Sequence, residues 1–201
     1  ILSKDVTKDM EEKDILMGPP AKTNLSYGFT KRAMYIHIKA MREQYGLNYS
    51  CFCPSNLYGP GDHFEDEDSH FVAALITKVA RAGAEDELVF WGDGRPLRQH
   101  LYVEDLCKII PQLLEEHNTD LPIIVAPDEN FTIAESVESL ISQIPSRQLQ
   151  YSFRGGLHGQ YRKDGSNREL KKLLPDVEFT KFEEGVLKTY GWYEESICNR
   201  D

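Results

Sequence analysis

The apolar and polar positions of this chain alternate between helical periods and short strand-like runs. Residues 1–23 are charged, lack a period and end in Gly18-Pro19-Pro20, which predicts a surface loop. From about 27 to 45, Met34, Ile38 and Met41 recur at helical spacing and predict a helix with one buried stripe, capped by Asn24 or Ser26 and ended by Gly46. Residues 49–53 are short and β-prone and stop at Pro54, the mark of a buried strand. A loop over 58–68 contains Gly59-Pro60-Gly61 and an acidic cluster. Beyond it the pattern predicts a helix at 71–82, a strand at 88–91 and a turn at Gly92-Asp93-Gly94-Arg95-Pro96. Helix 103–117 groups Leu106, Ile109, Ile110, Leu113 and Leu114 on one side. Strand 121–125, helix 132–144, strand 149–153, a polar loop at 154–167 and helices at 168–174 and 182–193 complete the series. Strands alternating with helices indicate an α/β layered domain with parallel strand pairs.

Composition narrows the classes of function. The 201 residues carry 23 Lys+Arg against 33 Asp+Glu, a formal net charge of −10. That balance argues against a general nucleic-acid binder and leaves room for one small anion held by a few local cations. No run approaches the roughly 18 apolar residues of a membrane span, and no basic-then-apolar leader opens the chain. Residue 1 is Ile, in keeping with a fragment or a processed product. Cys51, Cys53, Cys107 and Cys198 lack the spacing of a zinc site and are read as reduced thiols of a cytosolic protein, with no metal expected.

The sharpest chemical feature is Tyr27-Gly28-Phe29-Thr30-Lys31, which sets a phenol and an ammonium one turn apart on the same helix face. A neighbouring cation favours the phenolate, so such a pair can pass a proton beside a carbonyl or alcohol. Alone, the spacing equally describes an exposed pair on a solvated face. Pro54-Ser55-Asn56-Leu57-Tyr58-Gly59-Pro60 then leaves the strand that follows this helix, and the carboxyl ends of strands are where α/β sheets bind ligands. Further on stand Trp91-Gly92-Asp93-Gly94-Arg95-Pro96-Leu97-Arg98 and Leu101-Tyr102-Val103-Glu104-Asp105-Leu106.

Taken together, these residues resemble the extended short-chain dehydrogenase/reductases that remodel nucleotide sugars. In that family Y-x-x-x-K, N-x-Y-G-P, W-G-(D/S)-G-x-x-x-R and (V/I)-x-D-(L/M) occur in this order. Within it the chain is most similar to the GDP-L-fucose synthase branch, through Asp62-His63-Phe64, Asp68-Ser69-His70 opening a helix, and Gly159-Gln160-Tyr161-Arg162-Lys163. The resemblance covers roughly residues 16–195. It implies part of a Rossmann-like doubly wound parallel sheet plus a smaller α/β substrate-binding domain. Residues 1–58 would belong to the former and carry the Tyr-Lys helix. Residues 59–201 would form mainly the latter, with about 100–126 returning to the Rossmann-like sheet.

The resemblance also implies roles. Tyr27 would protonate the sugar C4 oxygen as hydride arrives from NADPH. Lys31 would lower the Tyr27 pKa and bind the nicotinamide ribose. Pro54, Asn56 and Leu57 would lie beside the nicotinamide, with Asn56 also facing the sugar nucleotide. His70 would be the acid–base group for epimerisation at C3 and C5 and would border the cofactor. Lys78, Trp91, Arg98 and Lys163 would contact the GDP-sugar substrate. The family pairs through the helix bearing Tyr and Lys, so a cytoplasmic homodimer is expected.

Some of the residues have plainer readings. His70 also suits a polar helix start, Lys78 and Lys163 suit plain solvation, and Trp91 suits a half-buried strand. The loop of Asp62, His63, Glu65, Asp66, Asp68 and His70 lacks the spacing of a calcium loop. The family's glycine-rich dinucleotide turn is absent, and its catalytic Ser and Cys would precede Tyr27, where only 26 residues stand. The chain is therefore read as the C-terminal part of such an enzyme. None of its four cysteines takes the place of the epimerase Cys. The alternatives are another nucleotide-sugar reductase or 4-epimerase, or a catalytically inactive binding or assembly fragment.

Overall fold

The computed structural model describes residues 9–65, 69–83, 86–145, 149–155 and 161–197. In chain order they form α1 (Leu25–Tyr45), β1 (Phe52–Pro54), β2 (Asn56–Tyr58), α2 (Phe71–Arg81), β3 (Glu87–Trp91), β4 (Leu97–Arg98), β5 (His100–Tyr102), α3 (Val103–Glu116) and β6 (Ile123–Val125). β7 (Phe131–Thr132), α4 (Ile133–Ile141), β8 (Gln150–Arg154), β9 (Arg162–Lys163), α5 (Arg168–Leu173) and α6 (Phe182–Ser196) follow. The strands pair in parallel as β1–β6, β2–β5 and β3–β8, and a small sheet runs β7–β4–β9, antiparallel on one side of β4 and parallel on the other. The fold is α/β with parallel pairing, as the alternating pattern predicts.

Helix ends follow local chemistry. Gly46 takes a left-handed conformation (φ 65°) and its N–H donates to the Arg42 carbonyl, closing α1. α4 opens with a reciprocal capping box: the Glu135 N–H donates to Thr132 Oγ1 and the Thr132 N–H to Glu135 Oε2. Gly94 (φ 74°) makes the turn after β3 with Phe153 and Ala134 so close that a Cβ there would collide.

Two apolar cores result among the described residues. The larger is built from α2, β3, α4 and α6 together with Tyr58, Phe64 and Tyr102. The smaller gathers Leu101, Ile109, Leu113, Ile123, Val125, Leu170 and Leu174 from β5, α3, β6 and the α5 end.

Several expectations are corrected. Met34, expected on a buried stripe, is 51% exposed, and Ile38 and Met41 are only half-buried. The inward face of α1 is instead Gly28, Arg32 and Tyr35. Arg32 is drawn inward because its guanidinium donates to the carbonyls of Gly18 (2.5 Å) and Met17 (3.1 Å). The N-terminal segment is not wholly a surface loop: Met10 and Ile15 are buried, and Met10 bridges Gly165. Glu12 Oε1 also accepts the Ile124 N–H at 3.1 Å. Residues 1–8 lie outside the described residues.

β1 runs through Pro54 rather than stopping before it, and is half-buried. Its one neighbour among the described residues is β6, so the missing Pro54 N–H breaks no bond of that ladder. Leu114 is exposed on α3. The 154–167 loop contains β9, while residues 156–160 fall outside the description.

Candidate active site

Tyr27 and Lys31 stand one turn apart near the start of α1, with Lys31 Nζ 5.5 Å from the Tyr27 ring centroid. Tyr27 is 58% exposed, so its hydroxyl is accessible to a substrate. The next strand end is held from the other side. β2 lies parallel to β5 with Asn56 opposite His100, and the Asn56 side-chain amide donates to the Gln99 carbonyl at 2.8 Å. Pro54 and Asn56 are exposed, whereas Leu57 packs half-buried against the smaller core. Between them the Ser55 N–H donates to the Val125 carbonyl, and Ser55 Oγ is buried with no partner among the described residues.

His70 is the N-cap residue of α2, where its carbonyl accepts the Ala74 N–H. Its side chain is 80% exposed, with Nδ1 3.5 Å from Asp62 Oδ1. The same Asp62 oxygen accepts the His63 N–H, which fixes the carboxylate. A carboxylate on one ring nitrogen leaves the other free to meet a substrate. Asp66 and Asp68 of the acidic loop lie outside the described residues.

A cleft of about 810 Å³ opens between α2 and β3, lined among others by Ser69, Thr77, Lys78, Arg81 and Trp91. Trp91 is 85% exposed, a large aromatic face standing free at the cleft. Lys78 Nζ donates to the Val89 carbonyl at 2.7 Å and lies 5.2 Å from the Phe90 ring centroid. It is thus tethered along β3 rather than simply solvated.

Arg98 and Lys163 are direct register partners in the parallel β4–β9 pair. Both are half-buried, and burial pulls both pKa values down, with Arg98 adding charge repulsion at Lys163. Arg98 Nη1 donates to the Leu97 carbonyl, and among the described residues neither cation has a carboxylate partner. Two adjacent, partly desolvated cations in an acidic chain make a focused positive site suited to an anion.

The fold therefore brings Lys78 together with Trp91 and Arg98 together with Lys163, and it ties Asn56 to the residue after Arg98. Among the described residues no hydrogen bond or ion pair joins Tyr27 or Lys31 to His70. Three contributors lay beyond sequence reasoning. Asp62 faces His70, Arg81 lines the cleft one turn beyond Lys78, and Gln99 bonds to Asn56, Pro127 and Gly165. Arg81 had a signal, its i+3 spacing from Lys78. Gln99 had none.

Residues 4–126 match the model of the NAD dependent epimerase/dehydratase family. GDP-L-fucose synthase of Dictyostelium discoideum is 32% identical over 197 residues, covering 96% of this chain and 61% of that protein. GDP-L-fucose synthase 1 of Arabidopsis thaliana is 31% identical over 208 residues, covering 100% of this chain and 62% of that protein. The chain thus spans about three fifths of the length of these curated relatives. A crystal structure of a GDP-L-fucose synthetase from Naegleria fowleri bound to NADP superposes with a TM-score of 0.86 at 26% identity, over 96% of this chain and 64% of that one. Fold, ordered motifs and family model agree: the chain belongs to the NAD dependent epimerase/dehydratase family.

Proposed function

We propose that this chain forms the sugar-nucleotide-binding and proton-transfer portion of an NADPH-dependent epimerase-reductase that converts GDP-4-keto-6-deoxy-mannose to GDP-L-fucose. The observation that carries the reading is the Arg98–Lys163 pair, two cations side by side within one sheet and without a carboxylate partner among the described residues. A diphosphate is the natural counter-ion for a guanidinium fork beside an ammonium. The free face of Trp91 and the tethered Lys78 in the α2–β3 cleft support a nucleotide there.

The cofactor-facing residues suit the nicotinamide end. The Lys31 ammonium can donate to ribose hydroxyls, and the strand end of Pro54, Asn56 and Leu57 carries Ser55 Oγ, which has no partner among the described residues. NADPH, when bound, supplies hydride to C4. Tyr27 gives its phenolic proton to the C4 oxygen as the carbonyl becomes an alcohol, with the Lys31 ammonium one turn away. His70, held by Asp62, serves as the acid–base group on one face of the sugar at C3 and C5, and inversion there needs a second group on the opposite face, the role of the epimerase Cys that precedes the Tyr in this family.

Residues 1–58, with about 100–126, serve the cofactor side, and the remainder serves the substrate. The exposed Leu25, Phe29, Met34 and Ile36 of α1 support pairing of two copies through this helix. The free thiols of Cys51, Cys53 and Cys107 support a cytoplasmic setting; Cys198 lies outside the described residues.

Calorimetric titration of the chain with GDP tests the reading. Binding should appear, and Arg98→Ala should weaken it about tenfold or more, as expected for loss of a charge-assisted fork. Failure of the unaltered chain to bind GDP, or equal affinity in the Arg98→Ala variant, would overturn it.

A further inference from the structure

We infer that Gln99 is a positioning residue that holds the two halves of the ligand site in register, an inference that rests on the nucleotide-sugar reading above. Gln99 follows Arg98 directly and is 3% exposed, a long polar side chain enclosed by protein. A buried amide persists only if its donors and acceptor are met, and here all three are. Its Oε1 accepts the Gly165 N–H at 2.7 Å, while its Nε2 donates to the Gly165 carbonyl at 3.1 Å and to the Pro127 carbonyl at 2.9 Å. The side chain thus meets both backbone groups of Gly165, as a neighbouring strand would. It prolongs the β4–β9 ladder past its last backbone pair, Arg98–Lys163.

The main chain of the same residue faces the other way. The Gln99 carbonyl accepts both the Asn56 N–H (3.3 Å) and the Asn56 side-chain amide (2.8 Å). One residue therefore fixes the segment carrying Lys163 through its side chain and the cofactor-side Asn56 through its backbone. Gly165 is held tightly enough for this to matter. A Cβ there would approach Ile124 Cγ2 to 2.7 Å, and Met10 closes the segment from the far side through Ser166 and Asp164.

Removing the amide would leave the Gly165 N–H and two carbonyls without their partner in a buried place, and the Lys163 strand would shift to satisfy them. Gln99 touches neither ligand in this account. It acts through Lys163 and Asn56.

The test is a double-mutant cycle on GDP affinity, read by calorimetry of the whole chain, with circular dichroism confirming the fold. Gln99→Leu keeps the side-chain size and removes the hydrogen bonds. It should weaken GDP about tenfold, and adding Lys163→Ala should then cost less than about threefold, because contacts that work through one another are not additive. Adding Lys78→Ala, on the far helix, should instead cost the same factor as in the unaltered chain. A merely structural role would move both pairs alike. If Gln99→Leu does not fold, Gln99→Asn, which keeps the amide but falls short of Gly165, enters the same cycle. Strict additivity with Lys163 overturns the inference while leaving the site reading intact. No GDP binding by the unaltered chain overturns both.

Discussion

Helices α1 and α2 both present residues proposed for chemistry, yet they are held in opposite ways. α2 spans eleven residues and buries five of them, Val72, Ala73, Leu75, Ile76 and Val79, in the larger core. α1 spans 21 residues and buries only Gly28, Arg32 and Tyr35. His70 and Lys78 are thus polar margins of a helix locked by apolar packing. Tyr27 and Lys31 ride on a helix whose buried side chains are one arginine and one tyrosine and which is otherwise tied by surface contacts such as Lys39–Asp120 and Arg42–Asn118, with much apolar surface facing outward. A nucleotide cleft needs fixed walls, because flexible walls lose affinity on ordering. A proton donor needs above all an open path to its acceptor.

The contrast can be broken at several points, and the largest effect is chemical. In a polypeptide competent for NADPH oxidation with the 4-keto sugar, Tyr27→Phe should lower turnover about 10²–10⁴-fold, the usual contribution of general acid catalysis. GDP affinity should stay unchanged, because the phenol lies on α1 and the cleft on α2 and β3. Steady-state kinetics and titration together check this, and turnover within threefold of the parent would remove Tyr27 from the mechanism.

Packing gives the next effect. Ile76→Ala in α2 should cost about 2–5 kcal/mol of stability, as for a fully buried large-to-small change. Met34→Ala in α1 should stay within about 0.5 kcal/mol, as for an exposed position. Denaturant melts measure both, and equal losses would erase the difference between the helices.

The smallest effect concerns acid. His100 lies buried on the packed side, stacked on Phe182 at 4.5 Å between centroids, and its Nε2 is 3.0 Å from Ser136 Oγ. Burial, with help from the charge on Arg98, pushes its pKa down to about 3. In the unfolded chain the imidazole takes up a proton near pH 6.5, whereas the folded one resists until about 3. Its contribution is therefore complete above pH 6.5 and is lost as pH falls through that window. Thermal melts from pH 7.5 to 4.5 should show a shallower decline for His100→Phe than for the unaltered chain. Parallel declines would show that His100 does not couple folding to acid.

Legibility in the sequence followed the same division. α2, α3, α4 and α6 were readable because their apolar residues keep a helical period between clear stops, β3 because it is a short apolar run, and β8 because Leu149, Tyr151 and Phe153 alternate with polar residues. The face of α1 was misread because Phe29, Met34, Ile36, Ile38 and Met41 scatter apolar positions around the helix, so no single stripe stands out. Strands β4, β7 and β9 have two residues each, too few for alternation to register. For the site, Tyr27 and Lys31 were visible as a local spacing. The adjacency of Arg98 and Lys163, and the bonds of Gln99, join segments distant in the chain, and only the sheet brings them together.

Arg98 occupies the middle strand of the β7–β4–β9 sheet, so its backbone is gripped on both edges, and its guanidinium is already bonded to its own strand. A side chain so confined has little rotamer freedom left to surrender when an anion arrives. Part of its water is also already stripped away by burial. The proposed anion site is preorganised: its cost in order and dehydration was met when the chain folded, so association should draw on charge attraction with a small entropic penalty.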